Sequence, residues 1–226
     1  MKNLFLLMVF LLFIFAVPAF ADNTIEKLIE SAESGEVKAQ YKLGDMYYNG
    51  EGVSKDNNKA FKWYEKAALQ GDADAQYELG SMYSSGAGVP KDPKKAFEWH
   101  EKAALQGNQY SQSTIGDMYC SGVGVSKDYK KAFEWHEKAA LQGNPLSQFI
   151  TGKSYYYVKD SPGVPGIPGI TQDYKKAYAY FNLSAKTQIA EDFKNEISKK
   201  MSKTDILEAQ ELSNKILEQI KKNKKK

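Results

Sequence analysis

A thirteen-residue segment, Lys59-Ala60-Phe61-Lys62-Trp63-Tyr64-Glu65-Lys66-Ala67-Ala68-Leu69-Gln70-Gly71, returns almost unchanged from Lys95 to Gly107 and again from Lys131 to Gly143. The shift is 36 residues both times. A fixed period of this size marks a repeat array, in which one supersecondary unit cannot cover its own apolar face and does so against the next copy. This confines the chain to a stack of similar units and makes most recurring residues structural.

Within each copy two helices are expected. The first carries Gln40, Leu43, Gly44 and Tyr47, which recur as Gln76, Leu79, Gly80 and Tyr83, then as Gln112, Ile115, Gly116 and Tyr119. A fourth copy reads Gln148, Thr151, Gly152 and Tyr155. Ala39, Leu43 and Tyr47 share one helical face. A glycine in mid-helix costs about 1 kcal/mol against alanine, so its return in every copy predicts a partner helix lying where a Cβ would clash. The second helix starts at Asp56, Asp92, Asp128 and Asp173, each able to cap the first turn. It is expected to end at Gly71, Gly107 or Gly143 in the left-handed conformation. The Gly50-Glu51-Gly52-Val53 linker recurs twice, but with a helix before it and no strand it lacks the context of a phosphate cradle.

The expected architecture is all-α: a right-handed α-solenoid of helix-turn-helix repeats with an N-terminal half-repeat and C-terminal capping helices. Residues 22–35 form the half-repeat and residues 36–187 the four units. The fourth carries a Pro/Gly loop insertion at 161–170, whose three Gly triplets resemble collagen but are too few for a triple helix. Residues 188–226 supply the cap, with an amphipathic helix from Thr204 to Lys221 and a tail holding five lysines within Lys221–Lys226. On that helix Ile206, Leu207, Leu212, Ile216, Leu217 and Ile220 are expected on the buried stripe, with Glu211–Lys215 and Glu218–Lys222 as exposed pairs.

The first 21 residues read as a signal peptide: Lys2, an apolar run from Leu4 to Val17, then Pro18-Ala19-Phe20-Ala21. The run is shorter than the roughly 18 residues a spanning helix needs, and Asp22, not cysteine, follows the expected cleavage point, which argues against lipid attachment. Export to the periplasm or medium follows, with no transmembrane segment after cleavage. The net charge of +3 falls to +2 without Lys2, and there is no arginine. That balance disfavours nucleic acid as a partner. Cys120 is the single cysteine, so no internal disulfide can form; a monomer is expected, with Cys120 offering a route to a dimer.

No catalytic, cofactor or metal residues are assigned. The two histidines, His100 and His136, are one repeat position occupied twice, aligned with Tyr64, and have no ligand-spaced neighbours. No serine is followed three residues later by lysine, and there is no Gly-x-Ser-x-Gly elbow.

The run Ala-Gln-x-x-Leu-Gly-x-Met-Tyr, then Gly-x-Gly-Val, Lys-Asp and Lys-Ala-Phe-x-Trp-x-x-Lys-Ala-Ala-x-x-Gly, resembles the Sel-one-like repeat (SLR) family, relatives of the tetratricopeptide repeats. The resemblance spans Thr24 to Thr187. It implies a scaffold that binds a protein or peptide in its concave groove, as an adaptor in envelope assembly or host contact. The alternative it implies, a cell-wall-acting or β-lactam-interacting envelope enzyme, belongs to a cysteine-rich branch that this chain matches poorly. In tetratricopeptide-type units the first helix lines the groove. The register then puts Lys38, Tyr41, Asp45 and Tyr48 there in the first unit, and Asp74, Tyr77, Ser81 and Ser84 in the second. Tyr110, Ser113, Asp117 and Cys120 follow in the third, and Leu146, Phe149, Lys153 and Tyr156 in the fourth. The partner-binding set drawn from these is Lys38, Tyr41, Asp45, Tyr48, Asp74, Tyr77, Ser81, Tyr110, Asp117, Phe149, Lys153 and Tyr156.

Overall fold

The structure, a computed structural model, describes residues 24–157, 167, 169–184 and 187–223. The signal peptide, the lysines at 224–226 and most of the Pro/Gly loop lie outside the described residues. Every regular element among the described residues is helical, and none is long and apolar enough to cross a membrane. The chain is an α-solenoid of stacked hairpins. Two compact units divide it between Asp92 and Pro93.

The first unit holds α1 (24–33), α2 (Val37–Asn49), α3 (Asn57–Leu69) and α4 (Ala73–Ser85). The second holds α5 (Pro93–Leu105), α6 (Gln109–Ser121), α7 (Tyr129–Leu141), α8 (Pro145–Tyr156), α9 (Tyr174–Leu183), α10 (Gln188–Ser198) and α11 (Lys203–Asn223). The capping expectations are met at α3, α7 and α9, where Asp56, Asp128 and Asp173 each accept from a backbone amide three residues on, at 3.0 Å. Asp72, Asn108 and Asn144 do the same for α4, α6 and α8. Each cap satisfies an amide that the helix itself cannot.

Three repeated contacts hold the stack. Alanines such as Ala60, Ala67, Ala96, Ala103 and Ala139 are fully buried and let helices approach closely. The recurring glutamine donates to a carbonyl at the end of the preceding helix: Gln40 to Ala32 (3.0 Å), Gln112 to Ala104 (3.1 Å) and Gln148 to Ala140 (3.2 Å). Those carbonyls lie at helix C-termini, where no helical amide follows to pair them, and each also accepts from the amide of Gly35, Gly107 or Gly143. Phe97 meets Tyr119 and Phe133 meets Tyr155 edge-to-face, both at 5.4 Å between centroids; Phe61 meets Tyr83 at the same distance in the first unit.

The mid-helix glycines are explained by the ring of the second helix. A Cβ on Gly44 would sit 2.6 Å from Tyr64 Cδ1, one on Gly116 2.6 Å from His136 Nε2, and one on Gly152 3.1 Å from Phe181 Cε1. The Gly-x-Gly linker is a packing device too. Gly88 has φ +71°, and a Cβ there would lie 2.2 Å from the Asn57 carbonyl oxygen.

The C-terminal helices differ in detail from expectation. In α11 the buried face is Ala209, Ser213, Ile216 and Ile220, while Leu207 and Leu217 are exposed. The small residues face α9, where Asn182 Nδ2 donates to Ser213 Oγ at 3.0 Å. Glu218 pairs with Lys221 at 2.8 Å rather than with Lys222.

Candidate functional site

On the first-helix face of the first unit, Tyr41, Asp45 and Tyr48 of α2 and Tyr77 and Ser81 of α4 are half-buried, with Lys38 and Asp74 exposed at the helix starts. The structure brings two of these, Tyr41 and Asp45, together around Tyr64 of α3. Tyr64, fully buried on α3, donates its hydroxyl to Asp45 Oδ1 at 2.6 Å, and Tyr41 also hydrogen-bonds this carboxylate. Burial pushes the Asp45 carboxyl above its usual range. Tyr41 is raised by burial first, then by the negative charges of Asp45, Glu78, Asp74 and Asp72. Glu78, which the sequence reading passed over, is central. Burial, with Asp45 and Asp74 beside it, pushes its carboxyl up to about 7. Its spacing one helical turn from Asp74 was the available signal; it was obscured because Lys42 holds the same repeat position.

In the second unit Tyr110 and Asp117 are exposed. Ser113, also placed in the groove by register, is buried instead. It belongs to a polar chain that runs inward: the Ser147 hydroxyl donates to Ser113 Oγ (3.0 Å), His136 Nδ1 lies 3.3 Å from Ser147 Oγ, and His136 Nε2 lies 3.5 Å from Asp117 Oδ1. These are the groups of a hydrolase triad, but Ser147 is fully buried and Ser113 nearly so. No carbonyl carbon could reach either hydroxyl, so the chain ties α6, α7 and α8 together rather than presenting a nucleophile. His100 Nδ1 similarly faces Ser111 Oγ at 3.5 Å. Burial lowers both histidines to about 4, so they are neutral in the fold at neutral pH.

The fourth repeat departs from the register reading. Tyr156 is buried, and its hydroxyl donates to Glu196 and accepts from Lys200 Nζ (2.9 Å) of the segment formed by α10 and the residues just after it. Phe193 of α10 stacks on Phe181 at 4.9 Å and packs against Phe149 and Tyr156. Phe149 and Lys153 are half-buried here, the Lys153 ammonium lying 5.9 Å from the Phe149 ring. Tyr156 is therefore a residue of the packed interior, covered by α10. The sequence could not reveal this, because α10 follows an insertion that breaks the 36-residue period. Cys120 is an exposed free thiol; partial desolvation of its sulfur, with the charge of Asp117 beside it, raises its pKa.

Among the described residues no group of three or more histidine, cysteine or acidic side chains is arranged to hold a metal ion.

With these stacked hairpins and their register in view, the Sel1 repeat family model matches residues 37–72, 73–108, 110–144 and 163–186, more than half of the chain. The chain belongs to the Sel1 repeat family. A crystal structure of a Sel1 repeat protein from Oxalobacter formigenes is 40% identical, with a TM-score of 0.54, over 57% of this chain and 98% of that one. A protective antigen from uropathogenic Escherichia coli strains with an SLR fold is 33% identical, TM-score 0.54, over 86% of this chain and 48% of that one. The secretory immunoglobulin A-binding protein EsiB of Escherichia coli O6:H1 is 40% identical over 52 residues, which is 23% of this chain and 11% of EsiB. The family suggests a protein-protein interaction module.

Proposed function

We propose that this Sel1 repeat chain is an exported module that binds a protein or peptide partner on its first-helix face, as an adaptor in envelope assembly or at a host surface. The observation that carries the reading is the face of the first unit. Tyrosine rings and carboxylates are gathered there at Tyr41, Asp45 and Glu78, and the carboxyls of Asp45 and Glu78 are raised by burial. Tyrosine is favoured where polypeptides meet, and Glu78 is drawn out of water beside two further carboxylates, Asp45 and Asp74, a gathering of like charge that a donor group of a bound polypeptide would relieve. EsiB, named for binding secretory immunoglobulin A, supports a protein partner in this family, although the similarity covers little of EsiB. Export to the periplasm or medium rests on the sequence of residues 1–21. In the second unit Tyr110, Asp117, Phe149 and Lys153 join the set; Tyr156 does not, being covered by α10.

The test is affinity capture with residues 22–226 as bait beside a Tyr41→Ala, Tyr77→Ala bait. The expected result is one polypeptide captured by the first and lost from the second, with unchanged far-ultraviolet circular dichroism. Equal capture by both would overturn the assignment of the site to this face.

A further inference from the structure

The contact between two successive first helices is made in both units at the same repeat positions, with different chemistry. In the chain α4 follows α2 as α10 follows α8. Asp72 and Thr187 cap α4 and α10 alike, accepting from the amides of Ala75 and Ala190. Counted from these caps, Glu78 and Phe193 hold one position, and Ser85 and Lys200 another. On the facing helix, Tyr41, Asp45 and Tyr48 of α2 correspond to Phe149, Lys153 and Tyr156 of α8. In the second unit the chain completes this contact itself. Phe193 packs on Phe149 and Tyr156, at 5.8 and 5.6 Å between centroids. The Lys200 ammonium lies 4.9 Å from the centre of the Tyr156 ring, donates to its hydroxyl at 2.9 Å and pairs with Glu196 at 3.2 Å. Tyr156 is only 7% exposed as a result.

In the first unit neither the ring nor the ammonium is supplied. Glu78 stands in place of Phe193, and Ser85, in place of Lys200, turns its hydroxyl back to the Ser81 carbonyl at 2.9 Å. α4 carries Asp74 and Glu78 and no lysine. Tyr41 and Tyr48 stay half-buried, their rings 5.8 and 6.5 Å from that of Tyr64, whose hydroxyl holds the Asp45 carboxylate on this face. Asp45 and Glu78 take part in none of the ion pairs found among the described residues. Lys55 does approach the Tyr48 ring, at 5.5 Å, without pairing with either carboxylate.

From this comparison within one molecule we infer that the face shared by α2 and α4 docks a basic side chain, lysine or arginine, of the bound polypeptide, with its stem against Tyr41 and Tyr48 and its charge on Asp45 and Glu78. This rests on the reading of the first-helix face as the partner site, and it names what that site takes. Three observations select a cation. Tyrosine rings present a negative face, which attracts ammonium and guanidinium groups. Asp45 and Glu78 are drawn partly out of water with further carboxylates as their charged neighbours, Glu51 and Asp74 for the first and Asp45 and Asp74 for the second, and an opposite charge is what stabilises carboxylates so placed. The equivalent contact in the second unit is completed by an ammonium on the equivalent tyrosine. An acidic side chain would instead meet like charge at Asp45 and Glu78, and an apolar one would bury both carboxylates without a partner.

The test is selection of displayed random peptides on the 22–226 chain, with Glu78→Gln, Glu98→Gln and the Tyr41→Ala, Tyr77→Ala chains run in parallel. Glu78→Gln keeps the shape of the side chain and removes one of the gathered charges, so circular dichroism should show that chain folded. Glu98→Gln removes the same charge from an exposed place on α5. The expected outcome is enrichment of peptides with a lysine or arginine that cannot be replaced by glutamine. Their binding should weaken by about tenfold or more on Glu78→Gln and stay unchanged on Glu98→Gln. The Glu78 carboxyl, raised to about 7 by burial and by Asp45 and Asp74, must ionise to pair with a cation. Affinity should therefore rise between about pH 6 and 8, where lysine and arginine do not titrate, and Glu78→Gln should abolish that rise. Peptides without a basic residue that are lost from the tyrosine variant would overturn this inference and leave the first-helix-face reading standing. Basic peptides that bind Glu78→Gln as tightly as the unaltered chain would overturn it as well. Basic peptides that bind the tyrosine variant equally well, or failure to enrich any peptide on the unaltered chain, would overturn both.

Discussion

At the scale of single residues, one position shows how the array uses chemistry for packing. The ring that fills the space above the mid-helix glycine is Tyr64, His136 or Phe181 in three of the repeats. Its neighbours follow its chemistry. Tyr64 sends its hydroxyl to Asp45, whereas the histidines face Ser111 and Ser147 at the place of Ala75. The histidines carry a cost in acid. Their folded-state pKa of about 4 lies below the usual value of 6.5, the cause being burial. The unfolded chain therefore binds protons that the fold refuses, so stability is full above about pH 6.5 and falls as pH drops toward 4. At 1.36 kcal/mol per pKa unit, each histidine accounts for about 3 kcal/mol of that loss. Urea unfolding followed by tryptophan fluorescence between pH 4 and 7 should show it, and His136→Phe, which copies Phe181, should remove about half. An unchanged acid slope in the variant would mean that His136 is not the group responsible. That the histidines are structural was legible from their spacing of one repeat. The serine partners were not, because a hydroxyl eleven residues away carries no pattern until the hairpins are stacked.

At the scale of elements, the helices and their caps were legible because the signals are local. Asp56, Asp128 and Asp173 cap the helices they were expected to start, and the recurring glycines mark a close approach that the structure shows. What was not legible is the pairing of α10 with the fourth repeat. Phe193 reads as an isolated aromatic in a charged helix, and only in three dimensions does it complete a cluster with Phe149, Tyr156 and Phe181. This cluster is why Tyr156 is interior and why register alone misplaced it. Removing the ring would leave Phe181 without its stacked neighbour. Phe193→Ala is therefore expected to cost the second unit about 2–3 kcal/mol, somewhat below the roughly 3–5 kcal/mol of an aromatic truncated in a core, since Phe193 is only half-buried. The check is the urea midpoint. A change below about 0.5 kcal/mol, typical of surface positions, would show that α10 is held by its ion pairs and hydrogen bonds instead.

At the scale of the whole molecule, a repeat array has no central core to defend it, and each helix packs chiefly on those next to it in the chain. The described helices obey this, with α11 the exception: it lies against α9 and reaches back to α7, where Asn223 Nδ2 donates to the Leu141 carbonyl at 3.3 Å. The C-terminal helices thus cover the last two hairpins of the second unit. A chain ending at Ser184 would expose Phe149, Tyr156 and Phe181, together with the buried face of α9. Nearest-neighbour energetics then predict a graded loss, not a global one. Backbone amides of α8 and α9 should lose most of their protection from hydrogen exchange, while those of α2, α3 and α4 in the first unit keep theirs, because nearest-neighbour coupling fades along the chain. Equal loss of protection in both units would show that the chain unfolds as one cooperative body. The stack would then owe its stability to coupling longer in range than the hairpin-to-hairpin contacts that its 36-residue period encodes.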